Sequence, residues 1–180
     1  RTSAYRSRRR PNTHGLTAWC EDFVGVYRGG NLPIRQRQVR RPVVGYCGYG
    51  EIRRFFLPNV AYEILCRIPL ARRLENRYGR GSAMGLRSKV ISQLARSRAV
   101  QTNFLLRTSF WNGAIVNGAL DLQRARQSRI EYVDNLFDSD YIICARGGGT
   151  FSFRFYEVLC SGRIPVFLDT DCLLPHDRWI

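Results

Sequence analysis

The sequence predicts an α/β fold built on a parallel sheet, and three observations predict it. Residues 140 to 168 read as strand, glycine turn, helix and strand, which together make one βαβ unit. Strand-like and helix-like stretches alternate from Val43 onward, the order expected of an α/β chain. At 180 residues and 44% hydrophobic composition, the chain is sized for one such core.

The elements follow in order. Arg1 to Gly15 is polar and carries R-S-R-R-R-P, so it reads as a basic arm. Together with the charged stretch Gln36 to Arg41 it divides the chain into residues 1–41, an arm or the tail of a preceding N-terminal domain, and residues 42–180, the α/β domain. Leu16 to Tyr27 reads as a short helix and a strand leading to the turn Arg28-Gly29-Gly30-Asn31. Val43 to Tyr46 is the first strand of the domain, closed by Gly48 and Gly50. Arg53 and Arg54 follow that turn, where they either reach a diphosphate beyond the strand end or stay solvated. Asn59 to Tyr78 reads as a helix broken at Pro69, Gly79 to Gly85 as a loop, and Leu86 to Arg98 as a helix with Val90, Ile91 and Leu94 inward. Val100 to Leu106 is the next strand, running on towards Phe110 and Trp111. Asn117 to Gln127 reads as a loop and short helix, and Ile130 to Phe137 as a helix with Tyr132, Val133 and Phe137 inward.

The densest chemistry lies in the last unit. Tyr141 to Ala145 is a short apolar run that suits a buried strand, and Gly147, Gly148 and Gly149 follow it. Phe151, Phe155 and Leu159 then recur at helical spacing, Gly162 ends the helix, and Ile164 to Leu168 forms a second strand. Glycines lack a Cβ, so the backbone can approach a bulky anion, and the free N–H groups of the following helix point at it. Arg146 and Arg154 flank this turn with guanidinium forks suited to phosphate oxygens. Arg154 and Glu157 are three apart and share a helix face, which also fits an ordinary surface ion pair. R-G-G-G has neither G-x-G-x-x-G spacing nor a Walker lysine, so the residues alone leave an anion site and a structural turn both open.

The run R-G-G-G-T-F-S-F-R-F-Y-E-V-L-C-S-G-R-I-P-V-F-L-D-T-D-C-L-L-P resembles the signature of the exostosin family, glycosyltransferase family 47, in its bacterial exostosin-like form. The matching positions are Arg146 and Gly147, then Ser152 with Arg154 and Glu157, then Gly162 with Pro165 and Val166, and Asp169 through Pro175. Pro42 to Gly48 and Tyr132 to Ala145 match more loosely. The resemblance implies a Rossmann-like parallel sheet, the C-terminal, donor-binding half of a GT-B glycosyltransferase. It implies transfer of a sugar from a nucleotide sugar, expected to be a UDP-sugar, with inversion to a hydroxyl of a glycan or polysaccharide. Arg146, Gly147, Gly148, Gly149, Ser152, Arg154 and Glu157 become the expected nucleotide-sugar contacts, with Glu157 taking ribose hydroxyls. The base for the acceptor hydroxyl ordinarily comes from the opposing half, and none is identifiable in this sequence.

A complete GT-B enzyme needs about twice this length. The chain also begins at Arg1 without Met and ends just after the motif, so it is expected to be a fragment. Asp169-Thr170-Asp171 spells D-x-D, a metal-holding pattern in other transferases, but here it fills the strand-end segment. No metal or other cofactor is expected, because helix dipole and arginines can hold the diphosphate.

The charge is lopsided. Residues 1–100 carry 21 basic against 5 acidic residues, and residues 101–180 carry 8 against 9, so the basic excess sits outside the motif. An anionic membrane surface suits this half as a further partner; nucleic acid is not expected. The readings that rival the transferase are a nucleic-acid-binding basic module and a catalytically inactive nucleotide-binding domain. Cys20, Cys47, Cys66, Cys144, Cys160 and Cys172 show no C-x-x-C pair or metal-ligand spacing. Cys47, Cys144 and Cys160 fall in strands or on an apolar helix face, which favours a reducing compartment. The expected location is cytoplasmic and membrane-peripheral in a bacterium, or the Golgi membrane in a eukaryote.

Overall fold

The computed structural model describes residues 5–9, 11, 14–34, 41–52, 80–109, 112–116, 118–147 and 149–175. Its centre is a four-stranded, all-parallel sheet. The strands are β1 (Val43–Tyr49), β2 (Gln101–Arg107), β5 (Tyr141–Cys144) and β6 (Ile164–Phe167), in the order β2-β1-β5-β6. Between β2 and β5 lies a small antiparallel hairpin, β3 (Ile115–Val116) and β4 (Ala119–Leu120). The helices are α1 (Phe23–Arg28), α2 (Arg80–Arg96), α3 (Leu122–Phe137) and α4 (Phe153–Cys160), with a 3-10 turn at Arg6–Arg8. An α/β fold with a Rossmann-compatible parallel sheet is therefore what the chain forms.

Both faces of the sheet are covered, as parallel strands require. On one face Val44, Tyr46 and Ile143 pack with Ile91, Val90 and Leu94 of α2. On the other, Cys47, Ile142 and Cys144 pack with Phe23 of α1, Tyr132, Val133, Leu136 and Phe137 of α3, and Val158 of α4. Neighbouring residues of β1 and of β5 serve opposite faces, as the two-residue strand period dictates. Phe23 thus shares a core with residues on the far side of the expected division at residue 41. The segment 14–20 also runs tight against the chain's other end, since a Cβ on Gly15 would fall 2.5 Å from the Leu174 carbonyl.

Several boundaries differ from the sequence reading. β1 runs three residues past Tyr46 because its parallel ladder with β2 continues from Val43↔Gln101 to Tyr49↔Arg107. Residues 16–22 form no strand; Asp22 instead caps α1, accepting from the Gly25 N–H at 2.8 Å. α2 begins at Arg80, inside the expected loop, so Gly81 and Gly85 sit within a helix that its packing on the sheet sustains. α3 starts eight residues before the expected Ile130, because Asp121 accepts from the N–H groups of Gln123 and Arg124 and supplies an N-cap. On α4 the buried side chains are Tyr156 and Val158, while Leu159 is exposed and only Phe155 of the expected stripe packs against the core. The expected helix over 59–78, and Phe110 and Trp111, lie outside the described residues. No helix of the described residues is long and apolar enough to cross a membrane.

Candidate functional site

The order of the sheet reverses at β1. The chain passes from β1 through α2 to β2 on one side, then returns through α3 past β1 to β5 on the other. Helices on opposite faces and a reversed strand order mark the carboxyl ends of β1 and β5 as the place where doubly wound sheets take their ligands.

Three arginines lie near the carboxyl ends of β1 and β5. Arg146 follows β5 directly and is buried, with its Nη1 donating to the Tyr5 hydroxyl at 3.3 Å. Arg154, in the first turn of α4, reaches across to β1 and donates from Nη2 to the Cys47 carbonyl. Its guanidinium lies 4.7 Å from the centre of the Tyr46 ring and 5.4 Å from that of Tyr132, so aromatic faces hold the cation on two sides. Arg87 of α2 donates to the Tyr49 carbonyl at 3.1 Å and to the Arg146 carbonyl at 2.6 Å, bridging the ends of β1 and β5. The Nε–H groups of Arg87 and Arg154 are buried and have no acceptor among the described residues. The Arg107 Nε–H, on edge strand β2, is in the same state, so an unpaired Nε–H does not by itself mark the reversal.

The local sequence makes room for this. Gly48 has φ +147°, and a Cβ there would stand 3.1 Å from Arg154 Nη2. The Tyr46 hydroxyl donates to the Tyr49 carbonyl at 2.7 Å and holds the strand end against Arg87. Beyond β5, Gly147 is exposed, and nothing lies within 4 Å of where its Cβ would be. Gly149 is partly buried, and Gly148 lies outside the described residues. Ser152 is buried just ahead of α4, where its side chain makes no capping hydrogen bond.

Glu157 and Arg154 do not form the surface pair that their spacing allows. The Glu157 side chain is 13% exposed and faces α3. One of its oxygens accepts from the Tyr132 hydroxyl, and the other lies 3.5 Å from Arg129 Nη2, which also binds Glu21. A ribose hydroxyl would have to compete with these partners. Burial, reinforced by Glu157 and partly offset by Arg154, holds the Tyr132 hydroxyl well above the ordinary tyrosine range, so it stays a donor. Burial likewise pushes the Cys144 thiol beneath Arg154 up to about 12.

The D-x-D carboxylates also sit at the carboxyl end of the sheet, where protein donors engage both. Asp169 accepts from Arg6 Nη1 at 3.1 Å and from the Asp171 N–H at 3.0 Å, and Asp171 accepts from the backbone and hydroxyl of Ser7. Arg53 and Arg54 lie outside the described residues. A cleft walled by Leu32, Pro33, Ile34, Gly162 and Ile164 opens at the opposite, amino end of the strands. Its polar side chains are committed to the fold: Asp140 accepts from the Val43 N–H at 2.8 Å, and Arg163 donates to the carbonyls of Pro33 and Phe137.

Sequence reasoning singled out Arg146 and Arg154 and passed over Arg87. Its signal was nonetheless present, since Arg87 falls in helical register with Val90, Ile91 and Leu94, on the face turned to the sheet. The arrangement places permanently charged donors, each bonded to a protein oxygen, near an open glycine turn. Against known proteins, the chain matches no protein-family model, no curated protein and no solved structure.

Proposed function

We propose that this chain is the donor-binding half of an exostosin-type, GT-B glycosyltransferase, and that the carboxyl end of its sheet holds the diphosphate of a UDP-sugar. The observation that carries the reading is the placement of Arg87, Arg146 and Arg154 near the carboxyl ends of β1 and β5, with Arg87 bridging the two strand ends and Arg154 reaching β1. The spacing of Arg146, Gly147, Ser152, Arg154 and Glu157 supports the family, and the open surroundings of Gly147 support close approach of an anion. In the proposed reaction the bond from sugar to diphosphate breaks as an acceptor hydroxyl attacks from the opposite face. The negative charge that develops on the leaving UDP meets guanidiniums already in place, which is electrostatic stabilisation by a preorganised site. The acceptor hydroxyl gives its proton to a base supplied from outside the described residues.

The direct test is calorimetric titration with UDP. Arg154→Ala is expected to weaken binding by about 10–100-fold, the weight of a charge-assisted hydrogen bond. Arg154→Lys is expected to recover only part of it, because an ammonium cannot replace the fork. Undiminished UDP affinity in Arg154→Ala would overturn the assignment. Binding without sugar transfer by the full-length protein would point to the inactive nucleotide-binding domain instead.

A further inference from the structure

Cys20 and Cys160 stand 140 residues apart in sequence, yet their sulfurs lie 3.3 Å from each other. Both are reduced. Cys160 is exposed at the last residue of α4, contrary to the buried position its apolar neighbours suggest, and Cys20 is half-buried in the segment leading to α1. A disulfide needs about 2.05 Å between sulfurs, so closure asks for a shift of roughly 1.3 Å. That shift falls between a helix end and a segment outside any helix or strand, where the backbone yields most readily. Cys47, Cys144 and Cys172 are buried, which leaves these two as the accessible thiols among the described residues.

We propose that Cys20 and Cys160 form a reversible intramolecular disulfide, which couples the stability of the chain to the redox poise around it. The oxidant is a small disulfide of the glutathione class. The Cys160 thiolate attacks one glutathione sulfur, the glutathione S–S bond breaks, and one reduced glutathione leaves. Cys20 then gives up its proton and attacks the Cys160 sulfur, expelling the second reduced glutathione. Two protein thiols lose two electrons and two protons, and the glutathione disulfide gains them. Burial, followed by the contact with Cys160, pushes the Cys20 thiol up to about 11, which disfavours it as the first attacker; the contact with Cys160 is gone once Cys160 carries glutathione. The closed bond would tie the approach to α1 onto the helix that carries Arg154, and closing so long a loop removes many conformations from the unfolded chain.

The test equilibrates the protein in glutathione buffers of increasing oxidised fraction, blocks free thiols, and maps cross-links by mass spectrometry without reduction. The expected result is a Cys20–Cys160 cross-linked peptide, with a melting temperature that rises by several degrees and falls again on adding reductant. In Cys20→Ser, Cys160 is expected to keep a glutathione adduct and the melting temperature to stay flat. In Cys160→Ser neither cross-link nor adduct should form at Cys20. A lasting glutathione adduct on Cys160 in the unsubstituted protein, a cross-link to any other cysteine, or no oxidation at a poise that oxidises exposed dithiols would each overturn the proposal.

Discussion

Arg154 shows how one side chain is shaped by residues far from it in sequence. Its charge is held by the Cys47 carbonyl and the Tyr46 and Tyr132 rings, and the missing side chain of Gly48 leaves the space it fills. Gly48→Ala should therefore do two things at once. It forces a non-glycine residue to φ +147° and crowds the guanidinium, so both the melting temperature and UDP affinity are expected to fall. A variant that bound UDP normally would show that Arg154 can work from another position. Cys144, buried on the same side of the sheet, gives a pH signature. Its folded value of about 12 lies above the unfolded value of about 8.5, so the native state keeps a proton that the unfolded state releases. Its contribution is complete below about pH 8.5 and is lost as the pH rises towards 12, at up to about 1.4 kcal/mol per pH unit. Thermal melts across that range should show a shallower loss for Cys144→Ala than for the unsubstituted chain.

Among the elements, legibility followed the range of the interaction that shapes each one. β5, β6 and the end of α4 at Gly162 were readable because apolar runs and glycine punctuation are local signals. The start of α3 was readable in principle, since Asp121 stands directly before Leu122, but the weakly apolar stretch behind it drew attention downstream to Ile130. The hairpin of β3 and β4 was likewise announced by Asn117-Gly118 between apolar pairs, a strong two-residue turn signal. The extension of β1 through Gly48 was not readable, because it depends on pairing with β2, more than fifty residues on. Two substitutions test these elements. Asp121→Ala removes the cap of α3 and is expected to cost about 1 kcal/mol, seen as a lower urea midpoint with unchanged m. Gly45→Ala should be harsher, about 1–3 kcal/mol, since its Cβ would stand 2.2 Å from Ser139 Oγ and 2.7 Å from Ile142 Cδ1. A mild Gly45→Ala would mean that the β1–β5 seam is looser than its geometry.

At the scale of the molecule, the parallel sheet was predictable from the alternation of elements, whereas the strand order was not. The order β2-β1-β5-β6 sets β1 beside β5, so that Arg87 bridges their carboxyl ends and Arg154 reaches from α4 to β1. The excess of basic residues over the first hundred positions supplies the competing reading, a nucleic-acid surface, whose affinity would collapse with salt. A buried arginine site is screened far less. The most direct measurement is a thermal-shift series on the unsubstituted chain and Arg154→Ala, with UDP or a short DNA duplex at low and high salt. UDP at about 100 times its Kd is expected to raise the melting temperature by about 5–10 °C at both salt concentrations. That shift should vanish in Arg154→Ala, and DNA should do nothing that survives high salt. Stabilisation by DNA alone, lost at high salt and indifferent to Arg154, would contradict the donor-site account.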